Sequence, residues 1–251
     1  MHRRSVLGLG LGLGAAVVTG CESAPPAPAS TTPPAASTSP APAPPSTPAP
    51  GGPATQFARS ESGRPEIALT FHGAGEGLLT RQVLNALAQH NAKATVLAVG
   101  TWLAATPDGI RMVRDAGHEI GNHTWSHGDL AKMEPNPMRT EIERCRDRLA
   151  QIVGTPGAFF RQSQGQYATP AELAEAGKAG YTRVLSYDID SLDWTDPGPE
   201  KIRRAVAGAK AGSIVSMHLG HVGTVAALPL VLADLADRGL KAVTAGQLLA
   251  T

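Results

Sequence analysis

Short apolar runs alternate with helix-period patterns from residue 67 to the end of the chain, and no other feature restricts the fold as strongly. Residues 67–71 read as a buried strand, and 79–89 as a helix with Val83, Leu84 and Leu87 on its inner face. Strand 94–99, helix 107–116 ended by Gly117, strand 118–121 and helix 137–152 follow. Next come an extended piece at 158–161 and a helix at 170–179 closed by Gly180. Strands at 184–187 and 213–217 are separated by a helix at 200–209, and segments 225–237, 242–244 and 245–250 complete the series. Strands separated by helices pair in parallel through right-handed crossovers. No glycine-rich nucleotide fingerprint follows the first strand, so a dinucleotide-binding sheet gains no support. The expected fold is α/β, an incomplete or distorted (β/α) barrel, in which chemistry gathers at the carboxyl ends of the strands. His72, His123, Arg161, Asp188 and His218 all fall at or just past such ends.

The N-terminal part has a different character. Arg3 and Arg4 precede an apolar run from Val6 to Val18, too short for a permanent membrane helix and suited to a cleaved signal. Val18-Thr19-Gly20-Cys21 resembles a bacterial lipobox, so residues 1–21 are expected to be a lipoprotein signal peptide with Cys21 as the lipidation site. Arg3-Arg4-Ser5-Val6-Leu7 also resembles a twin-arginine export signal; an ordinary secretory signal with two incidental arginines is the other reading. Residues 22–56 are almost entirely Pro, Ala, Ser and Thr, a composition that cannot offset ordering entropy and reads as a disordered tether. The expected product is an extracytoplasmic monomer, lipid-anchored to the cell membrane, with one domain over residues 57–251. Lys and Arg number 22 against 21 Asp and Glu, without a basic cluster, so nucleic acid is not an expected partner. Cys145 is the thiol that remains once Cys21 is acylated, which leaves the domain no internal disulfide. Met138, Ile142, Cys145, Leu149 and Ile152 fall on one helical stripe, which makes Cys145 a core side chain rather than a reactive thiol.

The strongest local signal is Gly121-Asn122-His123-Thr124-Trp125-Ser126-His127. Two histidines four apart share a face if the segment enters a helix, and both imidazoles then reach one cation. The bare spacing alone more often marks two unrelated surface or packing histidines, but His72, His218 and His221 also stand at strand ends in a chain with 8 histidines. The segment resembles the metal motif of the NodB-homology polysaccharide deacetylases, carbohydrate esterase family four. Ala68-Leu69-Thr70-Phe71 is similar to the strand leading into that family's first motif, and Phe160-Arg161 to the start of its third. The run from Tyr187 to Trp194 resembles the fourth motif, and Gly212 to His218 the fifth.

The resemblance spans the domain and implies a distorted (β/α) barrel, in agreement with the order of strands and helices. It implies a hydrolase of carbon–nitrogen bonds that acts on N-acetylated polysaccharide or peptidoglycan with a divalent metal, zinc being the expected ion. By position, His123 and His127 would bind the metal, and His218 would be the acid that protonates the departing nitrogen. Asp193 would keep His218 protonated and oriented, Arg161 would hold the group at the base position, and Asp190 would support the same network.

The first motif departs from the family's pattern. Thr70-Phe71-His72-Gly73-Ala74 stands where the family has Thr-Phe-Asp-Asp-Gly, so His72 replaces the base and Gly73 a metal ligand. Gln162-Ser163-Gln164-Gly165 replaces a Pro-containing aromatic segment that shapes the sugar site. Three accounts stay open. His72 is the third metal ligand; or His72 is the base, with the site completed by His221, Glu76 or Asp188; or metal and catalysis are gone and a non-catalytic glycan-binding lipoprotein remains. A rebuilt site is favoured over a decayed one, because random loss does not explain an aspartate replaced by histidine or the extra His221 beside His218. His118 and His90 read as structural or surface residues, while Trp102 and Trp125 are candidates either for stacking on sugar or for core packing.

Overall fold

The computed structural model describes residues 51–250. The expected signal peptide, the lipidation site Cys21 and residues 22–50 of the expected tether lie outside the described residues. Among the described residues no helix is long and apolar enough to cross a membrane.

Among the described residues, eight strands and eight α-helices follow one another along the chain. The strands are β1 (Thr55–Phe57), β2 (Glu66–Gly73), β3 (Thr95–Ala98), β4 (Glu119–Asn122), β5 (Arg183–Leu185), β6 (Ile189–Asp190), β7 (Ile214–His218) and β8 (Lys241–Val243). The helices are α1 (Gly77–Gln89), α2 (Gly100–Ala105), α3 (Pro107–Asp115), α4 (Pro135–Val153), α5 (Pro170–Lys178), α6 (Pro199–Val206), α7 (Val222–Asp237) and α8 (Ala245–Leu248). All strand pairs are parallel, in the order β4-β3-β2-β7-β6, with β8 beside the start of β2 and β1 beside β5. The ring continues past β4 only through single-residue bridges, Asn122 to Phe160 and Phe160 to Val184. The barrel is therefore distorted and not a continuous closed ladder.

Alternation along β2 divides the apolar side chains into two layers. Ile67, Leu69 and Phe71 pack outward with the helices, in a cluster that includes Val83 and Leu87 of α1, Val96, Trp102 and Leu228. Ala68 faces inward and packs with Leu97, Phe159, Leu185 and Ile214. Period-two alternation with both faces covered is what parallel sheets require.

Most expected elements are present, with informative differences. Composition ends the tether at residue 56, but Ala54 is buried against Ala176, Tyr181 and Val184, and Thr55–Phe57 pairs with β5. Three residues of strand are too few to show a period among neighbouring prolines and alanines. Helix α2 was not expected; its N-terminal amides, Gly100 and Thr101, donate to the carbonyls of Thr124 and Trp125, so tertiary contacts hold it. The extended piece at 158–161 supplies only the Phe160 bridges. Cys145 lies on the buried face of α4 with Met138, Ile142, Leu149 and Ile152, as its spacing predicts. Its thiol donates to the Ala98 carbonyl, and burial pushes its pKa up to about 12, the signature of an inert side chain.

Candidate active site

The site begins at the end of β2. Parallel register sets His72 opposite His218 of β7 on one side and opposite Leu97 of β3 on the other. His72 thus faces the ring interior. Gly73, one residue on, faces the helices: a Cβ there would lie 3.0 Å from both Ala98 Cα and Val96 Cγ1 and 3.1 Å from the Trp102 ring. A carboxylate at position 73 would point into this packing and not at the histidines. The space beside position 73 is filled by the Trp102 ring and by Val96.

His123 and His127 are not on a helix, contrary to the spacing argument. They lie in a loop after β4 in which Thr124 (φ 65°) and His127 (φ 60°) are both left-handed. A β-branched residue in that region is strained, at a cost of order 1–3 kcal/mol. Local bonds stabilise the turn: the Thr124 amide donates to Asn122 Oδ1 at 2.9 Å, and the His127 amide to Thr124 Oγ1 at 3.2 Å. Ser126 donates through its amide and hydroxyl to Glu141 of α4. Asn122, fully buried, is tied to the Ile142 carbonyl and to Tyr181. These constraints replace a helix as the device that brings the two rings together.

His72, His123 and His127 present ring nitrogens within 4.8 Å of one another. His123 donates from Nδ1 to the Arg161 carbonyl at 3.0 Å; a carbonyl can only accept, so the proton is on Nδ1 and Nε2 carries a lone pair. That Nε2 is buried and has no hydrogen-bond partner among the described residues. Burial, followed by repulsion from neighbouring cationic groups, holds His72 and His123 well below the usual histidine pKa and lowers His127 in the same sense. Three neutral imidazoles with an orphaned buried lone pair fit a divalent cation.

Arg161 connects the cluster. Its fully buried guanidinium donates to the carbonyls of Leu185 and Ser186 and, at 2.9 Å, to Thr70 Oγ1. Burial pulls its pKa down to about 9, against the upward effect of Tyr187 and Asp190, so the group is charged at neutral pH. Its Nη1 stands 3.2 Å from His72 Nε2, a contact that places the ring's proton on Nδ1. Binding a cation through the orphaned Nδ1 requires the other tautomer, with Nε2–H turned to the Ser216 hydroxyl at 3.4 Å.

The histidine–aspartate half of the site stands on β7. His218 Nδ1 is 2.7 Å from Asp193 Oδ1, and the His218 amide donates to Oδ2 at 2.8 Å. Thr224 of α7 donates to the same oxygen at 2.6 Å. Burial by itself would raise the Asp193 pKa, but hydrogen bonds from His218 and Thr224 and the imidazole charge outweigh it, leaving the carboxyl below its ordinary range. Asp193 is ionised, and it leaves His218 Nε2 as the nitrogen available to the cleft. That cleft, about 510 Å³, is bounded by His72, His127, Gln162, Tyr187, Trp194 and His218. Asp190 also lines it, while its Oδ1 accepts from the Leu192 amide.

Other candidates fall elsewhere. Asp188 accepts from Ser213 and from the Ile214 amide, an internal tie. Glu76 precedes α1 and His221 pairs with Asp196; neither belongs to the histidine cluster. His118 accepts the Ala94 amide, with burial lowering its pKa to about 4. Trp102 is core, and Trp125 lies under the Arg144 guanidinium 3.7 Å away. The tryptophan that does face the cleft is Trp194, 53% exposed. Its position beside Asp193 was the available signal; nothing in the sequence pointed to Thr224.

Known proteins share this fold. A family model for polysaccharide deacetylase matches residues 59–184, which ends before Asp193 and His218. A peptidoglycan-N-acetylglucosamine deacetylase from Bacillus cereus is 35% identical over 73% of this chain and 87% of its own length. The chain belongs to the polysaccharide deacetylase family. Among solved structures, a peptidoglycan N-acetylglucosamine deacetylase in complex with 4-naphthalen-1-yl-N-oxidanyl-benzamide aligns with a TM-score of 0.72 and 29% identity, over 77% of this chain and 92% of that one. A carbohydrate esterase family four pseudoenzyme from Bacillus anthracis has the same fold, with a TM-score of 0.73 at 22% identity over 78% of this chain and 69% of that one. The expectations of a polysaccharide deacetylase-type hydrolase and of a distorted barrel agree with these relatives.

The packing around β2 makes a prediction. Gly73→Ala is expected to lower the unfolding free energy by about 1–3 kcal/mol, the usual cost of overpacking, in a denaturant titration. An unchanged midpoint would show that Trp102 and Val96 yield freely and that a side chain at 73 is tolerated.

Proposed function

We propose that this protein is an exported, metal-dependent hydrolase that removes N-acetyl groups from cell-envelope or extracellular polysaccharide. His72, His123 and His127 would hold the ion, and an all-imidazole set suits zinc. The observation that carries the reading is His123: its Nδ1 proton is fixed by the Arg161 carbonyl, and its buried Nε2 lone pair faces the other two rings without a partner. When bound, a divalent ion would lower the pKa of water and polarise the acetyl carbonyl.

The chain's own groups would do the remaining work. Tyr187 and Trp194 offer apolar faces to a sugar, and Gln162 leaves Oε1 without a partner as an acceptor. His218 is positioned by Asp193 to give a proton to the departing amine nitrogen, since an amide anion is a poor leaving group. Asp193, bonded to Nδ1, fixes the orientation of the ring and leaves Nε2 toward the departing nitrogen. With a cation on His72 Nδ1, the Nε2–H would turn to the Ser216 hydroxyl, and Arg161 would keep Thr70 and the Leu185 and Ser186 carbonyls as its partners. Acylation at Cys21 would hold the protein on the outer side of the cell membrane, within reach of peptidoglycan.

One observation favours a second reading, a non-catalytic glycan-binding lipoprotein with a degenerate site. The Arg161 guanidinium takes the His72 Nε2 lone pair, and among the described residues the cluster contains no carboxylate.

Metal content separates the two. After zinc supplementation and removal of loose metal, the wild-type chain is expected to retain stoichiometric zinc by elemental analysis, and a His123→Ala, His127→Ala double variant to lose it. Wild-type protein without stoichiometric metal sinks the enzyme reading. His218→Ala is expected to retain metal and lose about 10²–10⁴-fold in acetate release from N-acetylglucosamine oligomers, the usual contribution of a general acid. Full activity in that variant removes His218 from the acid role.

A further inference from the structure

A second histidine–aspartate pair sits beside the first, three residues further along both segments. His218 pairs with Asp193, and His221 Nδ1 lies 3.1 and 3.2 Å from the two carboxylate oxygens of Asp196. The backbone is shaped for both. A single 3-10 turn, Asp193–Thr195, is bracketed by two left-handed non-glycine residues, Leu192 (φ 58°) and Asp196 (φ 48°). This turn places the two carboxylates three residues apart beside the start of α7, where His221 is the residue preceding the first turn. Asp193 is buried, whereas Asp196 is 61% exposed at its side chain, so the second pair stands at the rim where the first stands at the floor.

We infer that His221, held by Asp196, is a specificity-determining residue that hydrogen-bonds a ring hydroxyl of the sugar whose acetamide lies at His218. The inference rests on the glycan-hydrolase reading above and adds a subsite to it. Because a carboxylate only accepts, Asp196 fixes the His221 proton on Nδ1 and leaves Nε2 for the cleft that His221 lines. The His218 and His221 ring centres are 5.7 Å apart, a separation that one pyranose ring spans. Trp194 lines the same cleft and offers a face for that ring. The charge on Asp196 decides between a hydroxyl and an anionic substituent. The pair is at most neutral even when His221 is protonated, so it gives an anion no net attraction, while a neutral imidazole nitrogen accepts readily from a sugar hydroxyl. Asp196 thereby acts as a positioning residue and does not itself touch the sugar.

The test uses the full chain with zinc supplied and two ligands, the N-acetylglucosamine tetramer and 4-nitrophenyl acetate, which carries an acetyl group but no sugar. Binding of the tetramer is read by calorimetry, and turnover of both by acetate or nitrophenol release. His221→Ala is expected to weaken tetramer binding about 2–12-fold, the loss of one ordinary hydrogen bond, and to raise KM for the tetramer with little change in kcat. Its effect on nitrophenyl acetate should be at least several times smaller. His221→Gln, which keeps a polar group at similar reach, should recover part of the binding, and Asp196→Asn should show an intermediate loss. Tetramer binding equal to wild type in His221→Ala overturns the subsite, as does an equal loss on both ligands or a wild-type chain that fails to bind the tetramer. A wild-type chain that binds the tetramer but releases no acetate defeats the hydrolase reading alone, and the calorimetric comparison still decides the role of His221.

Discussion

One step along β2 turns His72 into the ring and Gly73 out toward the helices, and the site depends on that alternation. A strand has one inward side chain for every two residues, so the end of β2 can present one group without distortion. In this chain that group is an imidazole, and the adjacent position is occupied by close contacts with Val96, Ala98 and Trp102. The β2–β7 register then fixes His72 against His218, with ring centres 4.3 Å apart. The histidine cluster and the His218–Asp193 pair are therefore set by the same hydrogen-bond ladder.

The two halves of the site have different supports. His218 ends a buried strand, and its partner Asp193 is bonded also to the first turn of α7, an arrangement with little freedom. His123 and His127 depend on a left-handed loop tied by Asn122, Thr124, Ser126 and Glu141. Strain of this kind persists only where surrounding bonds over-determine it, and it clusters at functional sites. Arg161 touches the histidine cluster twice: its carbonyl orients His123, and its guanidinium meets His72. A buried cation without a facing carboxylate is costly, and here backbone carbonyls and Thr70 supply the compensating dipoles.

Much of this was legible in the sequence. The strand–helix alternation gave the parallel α/β architecture, and the four-and-three spacing through Cys145 gave the buried face of α4, because both patterns are local. His72, His123, Arg161, Asp193 and His218 were selected by motif order and strand ends, and the structure brings all five together with His127. What local pattern could not show depends on contacts distant in sequence. The loop geometry of His123 and His127 is set by Glu141 and the carbonyl contacts of α2, and the place of Thr224 by packing of α7 against the 3-10 turn. The orientation of Gly73 required the register with β3. The pairing of His221 with Asp196 required that turn's two left-handed residues, which no composition rule predicts in the absence of glycine.

The central claim is that three imidazoles hold the ion, with His72 in the place a carboxylate would take. X-ray absorption at the zinc edge of the metal-loaded protein tests it most directly. Scattering from three imidazoles in the wild type, falling to two in His72→Ala with metal retained, is the result this account predicts. Two imidazoles in both proteins, with oxygen completing the shell, would contradict it and return His72 to a role outside the metal's coordination.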